Sequence, residues 1–341
     1  MNAMVPHADF SSFVSAVVAN ARGDVFDNRL VRESVALGIQ EGIGSAGGFL
    51  VPDTLAQTIW ERASSVGLLF PKTSRLLQSR EGKIEIPSVD EANRANGSRF
   101  GGLRLYWVDE AAAPTKSRPK FSKIGLELKK LLGLIGVTDE VLNDSALLAG
   151  FLSRAMGQEA AFVLDDAIVN GSGSGTPLGV LNSAALIQVE KESGQSSSTV
   201  QYINLVKMAA RLWGPSHKNA MWLMSNETFE AVAPITTPQN IPVVTYENGR
   251  KFILGIPVEL CECTPTFGSA GDIVLLDPSQ YILAGSTDAE TISSIHVSFD
   301  TNESVFRFRL RVDGQPGWSS PVVPANSTKS QSPFVALIPA S

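Results

Sequence analysis

The stretch Ala167-Ile-Val-Asn-Gly-Ser-Gly-Ser-Gly-Thr-Pro-Leu-Gly-Val-Leu181, AIVNGSGSGTPLGVL, decides how this chain is divided. Three glycines alternate with serines, and Pro177 and Gly179 follow. Read as a phosphate cradle, the run makes a nucleotide enzyme; read as a bend, it separates two lobes. A dinucleotide loop needs glycines at i, i+2 and i+5 between a strand and a helix. Gly171 and Gly173 require a third glycine where Thr176 stands, and Gly173 and Gly175 require one where Leu178 stands. The phosphate-loop pattern needs a second glycine five residues on and then a lysine. Thr176, Leu178 and Val180 hold those places, and no lysine follows.

The context also excludes a phosphate loop. Upstream, Leu148, Leu152, Met156, Ala160, Val163 and Ala167 recur at helical steps and predict one apolar face. Asp144 or Ser145 is the expected N-cap. Asn170-Gly171 is the expected C-cap, because both residues tolerate left-handed backbone angles. At 1.5 Å per residue, about 24 residues make a rod of roughly 36 Å. The glycine run therefore closes a long helix and turns the chain into a new lobe.

Bulk properties narrow the class. The chain has 341 residues, 43% of them hydrophobic, and a formal net charge of −6. That length supports two or three compact lobes, and the acidic balance opposes electrostatic wrapping of nucleic acid. No run reaches the ~18 apolar residues of a membrane span. The apolar patch from Phe10 to Ala21 is broken by Ser11, Ser12 and Ser15 and lacks a basic lead, so it does not read as a signal peptide. There are two cysteines, Cys261 and Cys263, and three histidines, His7, His217 and His296. The cysteines are expected on one face of a strand, reduced and half-buried. No second Cys/His pair lies near enough in sequence to complete a four-ligand zinc site. No metal and no cofactor is expected.

After Gly47-Gly-Phe-Leu-Val-Pro52, Asp53 stands as an N-cap, and Leu55, Ile59, Ala63 and Val66 predict a helix over 54–66. Residues 75–130 differ from the rest: twelve Lys/Arg stand against seven Asp/Glu, a surplus of five, which leaves about −11 elsewhere. Lys83-Ile-Glu-Ile-Pro87 alternates going out, and Leu103-Arg-Leu-Tyr-Trp-Val108 is expected to come back, forming a long β-hairpin. Such a hairpin is either a mobile surface excursion or, as its length favours, an arm packing on a neighbouring subunit. Ile124, Leu126 and Leu128 predict a half-buried strand.

Residues 183–300 read as α/β. Val200, Ile203, Val206, Ala210 and Trp213 suit a helix; Ala220–Met224 is a buried strand; Asn226 caps a short helix carrying Phe229 and Val232. Phe252–Val258 and Ile273–Leu276 are further strands. Phe306, Phe308, Leu310 and Val312 alternate with Arg307, Arg309 and Arg311, giving a strand with one apolar and one guanidinium face. Such a row is solvated, paired with carboxylates, or set to bind phosphate or a neighbour's acids. Pro333–Pro339 is a short apolar strand.

No catalytic constellation is present: there is no nucleophile elbow, no His-Glu-x-x-His and no cysteine–histidine pair of interpretable spacing. Asp165-Asp166 and Asp109-Glu110 are adjacent acids whose side chains diverge, so they are expected to be solvated or to cap. The chain is not expected to be an enzyme.

The order of these motifs resembles the major capsid proteins of tailed double-stranded DNA phages with the HK97 fold, from about residue 45 to the end. The resemblance rests on GGFLVP (47–52), IEIP (84–87), WVDEAAAPTKSRPKFSKIGLELKKL (107–131), VTDEVLNDS (137–145), NGSGSGTPLGVL (170–181), LGIPVEL (254–260), GDIVLLDPSQY (271–281) and FRLRVDGQP (308–316). It implies an α+β HK97-like fold. Residues 1–46 are then an N-terminal arm and 72–125 the extended loop. Residues 47–71, 126–182 and 301–330 form a peripheral domain with the spine helix. Residues 183–300 and 331–341 form an α/β axial domain. It also implies an icosahedral virion shell of hexamers and pentamers enclosing double-stranded DNA, assembled in the host bacterial cytoplasm. Partners would be the chain itself, a scaffolding protein, a portal, a maturation protease and non-specifically held DNA, with no membrane.

The expected inter-subunit contacts are Lys83, Arg94, Arg99, Arg104, Trp107, Glu110, Arg307, Arg309 and Arg311. Only 46 residues precede GGFLVP, so scaffolding is expected from another protein or from a trimmed segment. Some relatives crosslink a loop lysine to an asparagine of another subunit. Lys83 is the corresponding lysine, but the partner strand NESVFRFRLRVDG (302–314) alternates with arginines. Two other readings stand beside the phage shell: a bacterial nanocompartment shell of the same fold, and a soluble α/β enzyme or binding module with an inserted hairpin.

Overall fold

The structure, a computed structural model, describes residues 48–50, 61–77, 83–89, 94, 101–107, 116–118, 121–138, 145–285, 290–298 and 303–340. The expected N-terminal arm, most of the 54–66 helix, Arg99 and the Asp109-Glu110 pair lie outside them; residues 61–66 are helical.

Among the described residues, three sheets and one long helix organise the fold. A six-stranded sheet runs β1 (Gly48–Leu50), β13 (Glu290–Ser298), β14 (Glu303–Pro316), β12 (Tyr281–Gly285) and β2 (Ser74–Leu77), with β5 (Lys129–Thr138) paired to β14. β14 is its centre. One edge of β14 carries β5 in register from Glu303↔Thr138 to Val312↔Lys129. The other edge carries β13 and then β12, from Val312↔Gly285 to Pro316↔Tyr281. Thus β12 and β13, which the sequence groups with the α/β lobe at 183–300, belong to the sheet of the arginine strand.

The spine helix α1 spans Ser145–Asn170, 26 residues, as its periodicity predicts. Its buried face is rotated from the predicted stripe. Ala160, Ala161, Leu164 and Ile168 are buried, while Met156, Val163 and Ala167 are only half-buried. The rotation follows from Asp165, which the helix turns inward, as described below. Ala160 and Ala161 pack with Ala63, Leu131 and Leu310 against the inner face of the sheet. The approach is close because a Cβ at Gly133 would stand 2.8 Å from the Met156 methyl.

The second sheet has seven strands in the order β6 (Ile187–Glu190), β15 (Phe334–Ile338), β11 (Ile273–Leu276), β7 (Met221–Met224), β10 (Ile256–Leu260), β9 (Arg250–Ile253) and β8 (Val244–Glu247). Its central strands MWLM, IVLL and FVALI show no apolar/polar alternation because both of their faces are buried. One face packs on α2 (Tyr202–Arg211) through Leu205, Met208 and Leu212, which join Trp222, Ile273, Leu275 and Val335. Ile203, expected on the apolar stripe, is exposed. The other face carries Met221, Leu223, Val274, Leu276 and Phe334 onto Leu164, Ile168 and Val169 of α1 and onto Tyr281, Leu283 and Val312 of the first sheet. The two sheets therefore share one junctional core. Helix α3 spans Asn226–Val232, and its N-cap is Ser225, whose hydroxyl accepts from Thr228 N, not Asn226.

The third sheet is the hairpin β3 (Lys83–Val89) with β4 (Phe121–Glu127), in register from Lys83↔Glu127 to Val89↔Phe121. The return limb is thus β4; residues 103–107 form no strand with β3. The Ile84 and Ile86 side meets Leu126 and Ile124, an apolar match that Leu103–Val108 cannot make without leaving Ile124 and Leu126 unpartnered.

The two cysteines also depart from expectation. β10 ends at Leu260, the chain turns, and Cys261 and Cys263 are joined by a disulfide with Cα atoms 5.2 Å apart. On a continuing strand, the i and i+2 side chains would have stayed parallel and apart. Among the described residues no cluster of His, Cys, Asp or Glu could hold a metal, and no helix is long and apolar enough to cross a membrane.

Candidate assembly surfaces

The glycine run positions everything around it. Gly179 N donates to Gly171 O at 2.8 Å and Gly173 N to Pro177 O at 3.2 Å, closing a tight loop. Gly171 serves by closeness, not by a left-handed angle: a Cβ there would lie 2.1 Å from Pro177 O and 2.5 Å from Ala167 O. The left-handed positions are Gly173 and Gly175, at φ 81° and 74°. The terminal helix carbonyls of Asn170 and Gly171 accept from Asn182 Nδ2 at 2.9 and 3.0 Å. The loop is then fixed to the first sheet, since Leu178 N donates to Gly314 O and the Tyr281 hydroxyl donates to Leu178 O. Burial first, and then the Asp313 charge, hold the Tyr281 phenol well above its usual range.

Lys129 locks the root of the hairpin to this loop. Its Nζ donates to Gly173 O at 2.8 Å and Thr176 O at 2.5 Å, and lies 3.2 Å from Asp313 Oδ1. Asp313 Oδ2 accepts from Glu127 N at 2.8 Å, and Gln315 Nε2 reaches Gly125 O. The β3–β4 shaft therefore leaves the body from β14.

The shaft has one charged and one apolar face. Lys123 Nζ donates to Glu85 at 2.8 Å, and Lys83 lies 3.7 Å from Glu127 and 3.9 Å from Glu85. Their hydrogen bond first, and then each partner's opposite charge, lower the Glu85 carboxyl and raise the Lys123 ammonium. These pairs are solvent-exposed, so they set register more than stability. They also mean that Lys83 is matched within its own hairpin. The segment joining the two limbs, 90–120, carries six Lys/Arg against four Asp/Glu; Arg94, Arg104, Lys116 and Arg118 are the cations among its described residues. Arg94 N donates to Val323 O at 2.9 Å, which ties this segment to its own body.

The same segment presents apolar groups to solvent. Leu105 is 94% exposed, Trp107 is fully exposed, and Leu103, Tyr106 and Phe121 are exposed too. A second such surface lies on the outer face of the first sheet. Arg307 stands opposite Leu134, Arg309 opposite Leu132 and Arg311 opposite Lys130. Leu132 and Leu134 are exposed while the three arginines are half-buried along their stems. On its other side Arg309 faces Glu290. The alternation Phe308, Leu310, Val312 inward and arginines outward is as the sequence predicts. The sequence analysis gave the leucines of β5 no role; the structure exposes every second residue there, at 130, 132, 134 and 136.

Inside the body, two buried acids hold segments together. Asp165 Oδ1 accepts from Leu69 N at 3.0 Å and Phe70 N at 2.8 Å, and Oδ2 accepts from Leu68 N at 2.6 Å. Burial raises its carboxyl; the three N–H groups and Lys72 oppose this. It caps, as expected, but it is not solvated. Lys191 and Asp272, both wholly buried, pair at 3.1 Å, and Lys191 Nζ also donates to Ser197 O.

Residues 47–326 match the model of the phage capsid family, and the chain belongs to that family. Its architecture is the mixed α+β fold of HK97-type major capsid proteins. A capsid chain of a native GTA particle superposes with TM-score 0.61 at 16% identity, covering 95% of this chain and 99% of that one. A chain of Microbacterium phage Oxtober96 gives 0.56 at 13%, covering 80% and 91%. A chain of Mycobacterium phage Bobi gives 0.51 at 15%, covering 94% and 98%. No curated protein matches the sequence. The chain is a structural, non-enzymatic subunit of a virion capsid.

Proposed function

We propose that the chain builds hexamers and pentamers whose closure depends on the segment between Val89 and Phe121. Residues 72–125 act as the extended loop and 1–46 as an arm, both reaching neighbouring subunits. The observation that carries this is the exposure of Leu105 and Trp107 beside a basic segment on a paired, rigid shaft. Uncovered aromatic and aliphatic groups flanked by charge are the composition of an interface core with its rim. Arg94, Arg99, Arg104, Trp107 and Glu110 supply the loop's side of the contact. Arg307, Arg309 and Arg311, with Leu132 and Leu134, supply a receiving face on another subunit. Lys83 contributes through the shaft's internal pairing.

The peripheral domain comprises 47–71, 126–182 and 301–330; the axial domain comprises 183–300 and 331–341, with β12 and β13 crossing between them. The shell encloses double-stranded DNA held without sequence contacts, which suits a chain of net charge −6. A separate scaffolding protein, a portal and a maturation protease act with it in the host cytoplasm.

Electron microscopy of the purified chain, with and without its scaffold, is the test. Capsomers or closed shells support the reading; monomers under every assembly condition refute it. Replacing residues 90–120 by a two-residue turn joins the paired ends Val89 and Phe121 directly. The shortened chain should fold, keep its helix content and fail to close shells.

A further inference from the structure

Cys261-Glu-Cys263 sits where the two sheets meet the end of the spine helix. Cys261 N donates to Met224 O at 3.0 Å at the end of β7, and Cys263 O accepts from Asn170 Nδ2 at 2.6 Å at the last residue of α1. Cys263 is 2% exposed and belongs to the junctional core with Leu164, Ile168, Val169 and Leu276; Cys261 is half-buried at its edge. Thr264 Oγ1 donates back to Cys261 O, so the turn is held from both sides.

A bond across one intervening residue closes a very small loop, and chain-entropy stabilisation grows with loop size. This disulfide therefore does little to staple the fold as a whole. Its effect is local: it fixes the single turn that joins β7, β10 and the C-terminus of α1. Disulfides do not persist in a reducing cytoplasm unless they are transient or redox-responsive. A capsid chain is made in that compartment and used outside it.

We propose that Cys261 and Cys263 form a reversible thiol–disulfide latch, open while the chain is synthesised and assembled and closed after the particle leaves the cell. The oxidant is a low-molecular-weight disulfide, RSSR. The Cys261 thiolate, at the accessible edge, attacks one sulfur of RSSR, forming a mixed disulfide and releasing RS⁻. The Cys263 thiolate then attacks the Cys261 sulfur and releases the second RS⁻. Two protein thiols lose two electrons and two protons, and RSSR becomes two RSH. Two free thiols need more room than a bonded pair, so reduction loosens the turn beside Asn170, and closure tightens it. The timing rests on the capsid reading; the chemistry of the pair does not.

The test uses the full chain, unassembled and in particles alike, so that a failure to form shells leaves the redox result readable. Cells are lysed into denaturant containing iodoacetamide, so that the buried Cys263 is reached, and the intact mass is measured; two alkylated cysteines are expected. Incubation with oxidised glutathione before alkylation should leave none alkylated and lower the mass of the unalkylated chain by about 2 Da relative to the dithiol. Amide exchange across 261–264 should slow roughly tenfold on closure. In Cys261→Ser that slowing should vanish. Thiols still alkylated after glutathione, a persistent glutathione adduct, a bond between two chains, or a pair already closed in the lysate would each overturn the proposal. So would slowing that survives Cys261→Ser.

Discussion

Removing the Asp165 carboxylate tests whether one buried acid ties the spine helix to the segment that enters the fold. Its two oxygens divide the work unequally: Oδ1 serves Leu69 N and Phe70 N, and Oδ2 serves Leu68 N. Leu69 and Phe70 are wholly buried, so in Asp165→Ala their N–H groups find neither a partner nor water. Leu68 is only part-buried and its N–H can be hydrated. Two orphaned donors at roughly 1–3 kcal/mol each put the loss at about 2–6 kcal/mol. Asp165→Asn behaves differently. Its carbonyl oxygen can keep the Leu69 and Phe70 pair while its amide faces Leu68 N, so only one bond is lost, about 1–2 kcal/mol. Urea unfolding of the unassembled chain, followed by tryptophan fluorescence, reads both variants. The ordering Ala much worse than Asn is the signature. Equal losses, or an alanine variant within about 0.5 kcal/mol of wild type, would refute the division of the three bonds.

The glycine loop gives a paired prediction: Gly175→Ala meets open space but a positive φ, costing about 1–2 kcal/mol. Gly171→Ala drives a Cβ into two backbone oxygens and should cost about 3 kcal/mol or more, read as a larger fall in the denaturation midpoint. Lys191→Met strands the buried Asp272 charge and should destabilise by about 3–5 kcal/mol, while Lys191→Met with Asp272→Leu recovers most of it; equal stability of the two variants contradicts the pairing. The raised Tyr281 phenol favours folding fully below the free tyrosine value of about 10, and that contribution is lost as pH climbs beyond it. Absorbance titration should therefore show one of the four tyrosines silent until the chain unfolds, and its ordinary titration in the folded protein would contradict the burial.

The long helix and its glycine stop were legible because periodicity and a failed nucleotide motif are both local in sequence. So were Ala220–Met224, Ile273–Leu276, the strand within Pro333–Pro339 and the alternating arginine strand; Phe252–Val258, expected as one strand, is instead the hairpin β9–β10, turned at Leu254 and Gly255 with φ 52° and 78°. The return limb of the hairpin was misplaced because Leu103–Val108 and Phe121–Glu127 both look extended, and only the partner of Ile84 and Ile86 distinguishes them. The helix stripe was rotated by a residue because Asp165 reads as solvent-facing until the three N–H groups it serves are brought in from almost a hundred residues away. Leu132 and Leu134 were given no role. Exposure on a strand depends on what covers the sheet, and the sequence of one strand does not say. The arginine row was legible as a face; its neighbours across β5 and β13 were not.

Oxidative footprinting of Leu105, Trp107 and Phe121, in the isolated chain and in assembled particles, bears on the whole account most directly. These side chains are exposed in the single chain and should react freely there. If copies of the chain complete one another through this segment, assembly should suppress their labelling several-fold, together with Leu132 and Leu134, while core residues such as Trp222 stay unreactive in both. Labelling of Trp107 that is unchanged between the lone chain and the particle would contradict it.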